Sequence, residues 1–157
     1  MINIKETASG RIYEIGEFVP GNKQYMDREY LFSYIPEELY GLPLVKTCGK
    51  DKMIPEDQWC FTLHADHPCD VYVIFADKHP YLPIWLEEFE RLRMNVTRTD
   101  SHPQTLKGYF SVYKRSYPAG DVRLNGNSSK KLLARSSYIE TRGTDYCMYS
   151  VVVKELE

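Results

Sequence analysis

The sequence of 157 residues lacks several features that point directly to a function. Its formal net charge of −2 leaves no basic excess, so nucleic-acid-binding proteins, which carry a basic patch or stripe, are not indicated. No stretch approaches the roughly 18 apolar residues of a membrane-spanning helix, and the amino-terminal residues contain no apolar core of signal-peptide length. The sequence therefore predicts a cytoplasmic protein without nucleic-acid or membrane partners.

Cysteine and the common catalytic motifs are also scarce. The four cysteines, Cys48, Cys60, Cys69 and Cys147, form no C-x-x-C motif, and in a reducing compartment they are expected to be buried free thiols. The chain has neither the G-x-S-x-G elbow of hydrolases nor the G-x-x-x-x-G-K spacing of a P-loop. The stretch "NGNSSKK" (125–131) resembles a glycine loop only loosely and predicts a flexible surface loop. No cofactor is expected.

What the sequence does contain is a regular alternation of apolar and polar residues between closely spaced turns. This pattern is typical of antiparallel β structure. The run "DVYVIFAD" is apolar on both faces and predicts a central strand that is buried on both sides. It follows "WCFTLHA" after the short stretch "DHPC", which predicts a β-hairpin around Pro68.

Helical periodicity is confined to "LPIWLEEFERL", where Pro83 stands at the start of the helix and Glu87 in its first turn. That segment is short enough to be one turn that leads into an extended stretch. Roughly seven or eight strands predict an all-β fold, an antiparallel two-sheet β-sandwich of jelly-roll or Ig-like kind. It would have at most one short helix. We expect a single domain over residues 1–157, with a polar loop excursion around 125–145.

Titratable residues are concentrated in "HADHPCDVYVIFADKH", which includes His64, His67 and Cys69. These three could supply part of a zinc site, but Pro68 separates the last two and no second ligand pair is evident. Turns also collect Asp, His and Pro because of their backbone preferences. We therefore interpret these residues as turn residues and predict no metal site.

Catalytic arrangements are equally incomplete. The couples Cys60–His64 and Cys69–His67 have no third group to orient the imidazole. Glycoside cleavage needs two carboxylates about 5 to 10 Å apart across a cleft, a distance that a sequence does not contain. The acidic candidates for such a pair are Asp77, Glu87, Glu88 and Asp121. The sequence predicts that the protein is not an enzyme and has no catalytic residues.

Aromatic residues are abundant, with 13 tyrosines, 6 phenylalanines and 2 tryptophans. Aromatic rings next to turns can stack on sugars or anchor a protein partner. Four residues are candidates for ligand binding on this basis: Trp85, Tyr81, Tyr117 and Tyr138. For Trp85 the alternative, a ring that plugs one end of the sandwich, is favoured because large apolar side chains are seldom exposed.

The order of several short motifs resembles a known kind of module. These motifs are "YMDREYLFSYIPEELYGLPLVKT", "CDVYVIFAD", "LPIWL", "YKRSYPAGDVRLNGN" and "MYSVVV", which together span roughly residues 25 to 153. They resemble a β-sandwich accessory module appended to secreted bacterial polysaccharide-degrading enzymes. The resemblance implies a framework role for Asp77, for Pro83 to Leu86 and for Gly120 to Leu124. It also implies a glycan-binding or spacer domain without catalysis.

Two functions from different classes follow. The first is a non-enzymatic binding or scaffolding module, a structural component of a larger intracellular protein assembly such as a cytoskeletal or axonemal particle. Its partners would be other proteins. The alternative is a carbohydrate-binding or accessory module, whose partners would be glycans. A scaffold should bury broad patches against protein, whereas a glycan module should present a groove with exposed aromatics and polar groups.

Overall fold

The structure is a computed structural model, and it describes residues 1–100, 105–134 and 147–157. The described residues form ten strands: β1 (Ile2–Thr7), β2 (Glu14–Glu17), β3 (Leu31–Phe32), β4 (Pro43–Lys46), β5 (Trp59–Ala65), β6 (Cys69–Ala76), β7 (Glu90–Thr99), β8 (Leu106–Tyr117), β9 (Gly120–Asn125) and β10 (Ser150–Glu155). They also form the short helix α1 (Lys130–Leu133) and the 3-10 turns Glu37–Leu39, Gly49–Met53 and Ile84–Glu88. Within these residues, no helix has the length and apolar character that spanning a membrane requires.

The strands form two antiparallel sheets. One sheet has three strands in the order β1-β5-β9, and the other has seven in the order β2-β4-β10-β6-β8-β7-β3. Neighbouring strands are antiparallel throughout both sheets. The predicted all-β sandwich with at most one short helix is therefore confirmed.

Strand β6 organises the core because its side chains are apolar on both faces. All eight of its residues are buried, as the run "DVYVIFAD" predicted. On one face Val71 and Val73 pack with Phe61 and Leu63 from the three-stranded sheet. On the other face Ile74 belongs to a second apolar cluster. Full burial of one such aliphatic side chain stabilises the folded state by about 1.5 to 3 kcal/mol. Strand β6 contributes side chains of this kind to both clusters.

The predicted hairpin of β5 and β6 is wrong. The two strands lie in different sheets, so the residues between them carry the chain from one sheet to the other. Strand β6 pairs with β10 and β8 instead, and β5 pairs with β1 and β9. A short polar connection favours a hairpin locally, but a strand that is apolar on both faces needs a neighbour at each edge and a cover on each face.

The segment predicted as a helix contains one 3-10 turn, Ile84–Glu88, and β7 begins at Glu90. Isolated short helices are marginal in water, because a nucleus of several ordered residues forms few hydrogen bonds. Pairing of β7 with β8 along the sheet therefore decides the conformation of the remaining residues.

Candidate functional site

The difference in size between the sheets leaves part of the seven-stranded sheet uncovered by the smaller one. The connection from β6 to β7, residues 77–89, lies beside this region and buries Leu86 and Phe89 in the core between the sheets. Two clefts adjoin the connection and share Pro80 and Leu82 as a common wall. We call them the Asp77 cleft and the Tyr81 cleft.

The Asp77 cleft has a volume of about 420 Å³. Its lining residues are Phe75, Ala76, Asp77, His79, Pro80, Leu82, Arg91 and Tyr113. Behind them lies Ser111, which is only 2% exposed and links the two charged groups. The Ser111 hydroxyl donates to Asp77 Oδ1 at 2.5 Å and accepts from Arg91 Nη2 at 2.9 Å. One buried hydroxyl thus links a carboxylate and a guanidinium.

Strand register explains why these side chains share a face. Phe75 of β6 lies opposite Ser111 of β8, and Arg91 of β7 lies opposite Tyr113 of β8. Alternate residues of a strand point to the same face, so Asp77 follows Phe75 and Tyr113 follows Ser111 on this face. The register of β7 then shifts between Arg91 and Asn95. Such a bulge redirects side chains and is common beside functional sites.

Two aromatic rings border the cleft at its buried side. His79 is 8% exposed, and its ring lies 4.7 Å from the ring of Phe75, centroid to centroid. Burial raises the pKa of Tyr113, while the nearby Arg91 lowers it. The Tyr113 side chain therefore presents a neutral hydroxyl near neutral pH.

The Tyr81 cleft has a volume of about 290 Å³ and is organised by a buried carboxylate. Its lining residues are Glu56, Pro80, Tyr81, Leu82, Ile84, Glu87, Ser129 and Lys131. Glu56 Oε1 accepts from the Ile84 amide at 2.6 Å, and Oε2 accepts from the Lys130 amide at 2.8 Å. These amides begin the 3-10 turn Ile84–Glu88 and helix α1, so one side chain caps both elements and joins the two walls.

Glu56→Gln is expected to lower the free energy of unfolding by about 2 kcal/mol. The amide keeps one acceptor oxygen but turns an NH2 group toward the second backbone N–H, which leaves that donor without a partner. The adjacent Asp57, exposed and 3.1 Å from Lys130 Nζ, provides a matched control. Asp57→Asn should change stability by less than about 0.5 kcal/mol, since exposed ion pairs contribute little. Urea unfolding measures both variants, and equal losses would contradict the capping role of Glu56.

Residues 126–129, of which Ser129 lines the Tyr81 cleft, are all buried. The prediction of a flexible surface loop is therefore wrong for these four residues. Asn127 Nδ2 donates to the Cys147 carbonyl at 3.0 Å, and its Oδ1 accepts from the Tyr149 amide at 3.0 Å. The side-chain amide thus replaces strand hydrogen bonds just before β10. Residues 135–145 of the predicted excursion lie outside the described residues.

Of the four predicted ligand-binding aromatics, Tyr81, Trp85 and Tyr117 lie among the described residues. Tyr81 lines a cleft. Trp85 is half-buried, its ring centroid lies 5.7 Å from Phe89, and its Nε1 donates to the Gly126 carbonyl at 2.9 Å. Tyr117 lies on the other side of Phe89, at 6.4 Å between ring centroids. Tyr138 lies outside the described residues. The role of these four residues in ligand binding stays a prediction.

Sequence reasoning did not identify Arg91, Ser111 and Tyr113 as site residues. A signal was present for Ser111, because it places a hydroxyl between Phe110 and Val112 in a strand that is buried at this point. A buried hydroxyl requires a hydrogen-bond partner, which indicates a polar neighbour. Arg91 gave no such signal, since the bulge in β7 that fixes its position depends on pairing with β8.

The histidines and cysteines singled out in the sequence are dispersed. His64 Nδ1 lies 2.9 Å from Asp121 Oδ1 on the three-stranded sheet, whereas the Cys69 side chain is buried. Among the described residues, no group of three or more His, Cys, Asp or Glu side chains could hold a metal ion. Burial raises the pKa of the Cys60 thiol to about 11. Such a shift is opposite to the lowered pKa of a nucleophilic cysteine.

Comparisons with known proteins bear on the fold. No protein-family model matches the sequence, and no curated protein matches it. A β-glucuronidase from glycoside hydrolase family 2 is similar in structure, with a TM-score of 0.69 and 23% identity over 98% of this chain. A family 138 glycoside hydrolase that targets the pectin rhamnogalacturonan II is similar with a TM-score of 0.60 and 13% identity over the whole chain. This chain corresponds to 14% and 16% of those proteins, so it shares its fold with one segment of each.

Proposed function

We propose that this chain is a non-catalytic accessory module that binds glycans and acts beside carbohydrate-degrading activity. The observation that carries the proposal is the coverage of the structural likeness. It extends over 98% of this chain but only 14% of the family 2 β-glucuronidase. The chain thus matches a part of a glycoside hydrolase in size and fold, and a part of that size is typical of one domain.

The carboxylates of the two clefts support a role without catalysis. Glycoside hydrolysis requires an acid and a base or nucleophile that face each other across the substrate. Both oxygens of Glu56 already accept backbone N–H groups. Asp77 accepts from Ser111, and Glu87, the third cleft carboxylate, is exposed. These contacts support a positioning role for Glu56 and Asp77.

The predicted scaffolding role in a cytoskeletal or axonemal assembly finds no support in the comparisons. Both similar structures are carbohydrate-degrading enzymes. The glycan-binding alternative is therefore the function that we carry forward. The protein partner in this proposal is a catalytic domain, and the module would act beside it.

The test is a binding and hydrolysis assay on the isolated chain. The chain is applied to an array of pectin fragments, glucuronide-containing glycans and neutral polysaccharides, and released reducing sugar is measured in parallel. We expect retention on at least one glycan class without sugar release. Heat-denatured chain serves as the control for nonspecific adhesion. Sugar release would overturn the non-catalytic assignment, and retention no greater than that of the control would overturn glycan binding.

A further inference from the structure

We propose that the Asp77 cleft is a pocket for one neutral sugar residue, which it recognises through two adjacent hydroxyl groups. This inference rests on the proposed function and adds the site and the ligand class. Its starting observation is that the Ser111 hydroxyl contacts two charged groups. The hydroxyl donates to Asp77 at 2.5 Å and accepts from Arg91 at 2.9 Å.

The hydrogen-bonding capacity that remains after these two contacts matches a diol. Within the described part of the chain, Asp77 Oδ2 accepts no side-chain hydrogen bond and Arg91 Nη1 donates none. A sugar hydroxyl both donates and accepts. One hydroxyl of a vicinal pair can therefore donate to the carboxylate while its neighbour accepts from the guanidinium. Hydrogen bonds in which one partner is charged are stronger than neutral ones, so this pair would fix the orientation of the ring.

The charge of the cleft favours a neutral ligand. Among the described residues that line it, only Asp77 and Arg91 are always charged near neutral pH, and their charges cancel. A carboxylate or phosphate ligand would be attracted to Arg91 but repelled by Asp77, because both side chains hydrogen-bond to the same Ser111 hydroxyl. A neutral polyol meets no such conflict. This selects hexoses, pentoses and deoxyhexoses over uronates.

The remaining lining suits the apolar face of a sugar ring. Leu82 is 42% exposed and stands with the exposed Pro80 at the wall between the two clefts. Opposite them, the rings of His79 and Tyr113 are nearly buried and form a rigid side. The cleft volume of about 420 Å³ lies within the range of small-molecule sites, which combine apolar walls with a few placed polar groups.

The preorganisation of the polar pair distinguishes this cleft from an ordinary solvated surface. Ser111 is 2% exposed, so its hydroxyl is fixed inside the sheet between β6 and β7. Arg91 and Asp77 are thereby ordered before a ligand arrives, and binding requires less loss of side-chain freedom.

The experiment measures binding of methyl glycosides of neutral hexoses and deoxyhexoses to the full chain by NMR titration, with methyl glucuronide as the anionic probe. Asp77→Asn keeps an oxygen for Ser111 but loses the carboxylate, and Arg91→Met loses the guanidinium. Each should weaken binding about tenfold or more, the size expected for one lost charge-assisted hydrogen bond. Arg93→Met, at an exposed position of the same strand, and Asp121→Asn, on the other sheet, are the matched controls and should bind as the parent chain does.

We also expect that binding changes the chemical shifts of residues around Ser111. The unfolding midpoints of the variants should equal that of the parent chain. Neutral-sugar binding that survives both cleft variants, or tighter binding of the glucuronide, would overturn this inference and leave the proposed function in place. Equal losses in the cleft variants and the controls would also overturn it. A parent chain that binds no probe here and no glycan on the array would overturn the proposed function itself.

Discussion

Gly126→Ala is expected to lower the free energy of unfolding by about 4 kcal/mol, which is at the upper end for one substitution. A Cβ atom at this position would lie 2.2 Å from the carbonyl oxygens of both Ile54 and Pro55. These are backbone atoms, so they cannot rotate away as a side chain can. The Gly126 amide and carbonyl are also engaged, with the Gln58 carbonyl and Trp85 Nε1, both at 2.9 Å. The backbone must therefore move against several fixed contacts.

Gly16→Ala provides the matched control for this prediction. A Cβ atom at Gly16 would meet the Cε atom of Lys46 at 3.3 Å, and a long flexible side chain can move by that amount. We expect a change of less than about 1 kcal/mol, the usual scale for a tolerated surface substitution. Urea unfolding followed by tryptophan fluorescence measures both variants, because Trp85 contacts Gly126 directly. Comparable stability of the two variants would show that the 126–129 segment accommodates a methyl group.

Arg98→Ala is expected to destabilise the fold by about 3 to 5 kcal/mol. The Arg98 side chain is fully buried, and its guanidinium carbon lies 3.8 Å from the ring centroid of Tyr30 and 5.2 Å from that of Phe110. Its Nη1 donates to Gln24 Oε1 at 2.8 Å. Truncation would remove three cation–π contacts, including one with Tyr25 at 5.8 Å, leave a cavity and deprive a buried amide oxygen of its donor.

Arg98→Met separates packing from charge in this prediction. Among the described residues, Arg98 Nε and Nη2 have no hydrogen-bond partner, so the charge is incompletely compensated. A methionine fills much of the same volume and removes the cost of burying that charge. We expect a loss of about 1 to 2 kcal/mol, smaller than for alanine, from the deprived Gln24 oxygen. Equal losses for alanine and methionine would assign the whole effect to the guanidinium, and a loss below that of the exposed Arg93→Ala would contradict the role of Arg98.

The parts of the fold that could be predicted from the sequence are those encoded by nearby residues. The run Val71 to Ala76 is apolar at every position, and burial of both faces follows from that pattern alone. The alternation in β8 is equally local. The hairpin prediction failed because a connection between two strands does not specify whether they share a sheet. That choice depends on β10 and β8, which lie far away in the sequence and pair with β6.

The candidate site was less predictable, since its geometry comes from residues on three strands and one connection. Asp77 was recognised as the end of a strand and as one of four acidic candidates for a catalytic pair, but not as a partner of Arg91, which was not recognised at all. Gly126 illustrates the same limit. A glycine is required at this position because two backbone carbonyl groups, about 70 positions earlier in the chain, leave no room for a Cβ atom. No local sequence pattern indicates that these carbonyl groups lie nearby. Trp85, which was favoured as a packing residue on size and hydrophobicity, is half-buried and packs against the core cluster, while its role in ligand binding stays a prediction.

The central position of β10 has a consequence for how the protein is made. Strand β10 fills the gap between β4 and β6, so the seven-stranded sheet stays divided until residues 150–155 leave the ribosome. Among the described strands, only β7 and β8 are neighbours both along the chain and within a sheet. Pairings between distant segments slow folding, and open strand edges attract other chains meanwhile. During synthesis, β4 and β6 each keep one edge unpaired until β10, the last of the described strands in chain order, has been translated.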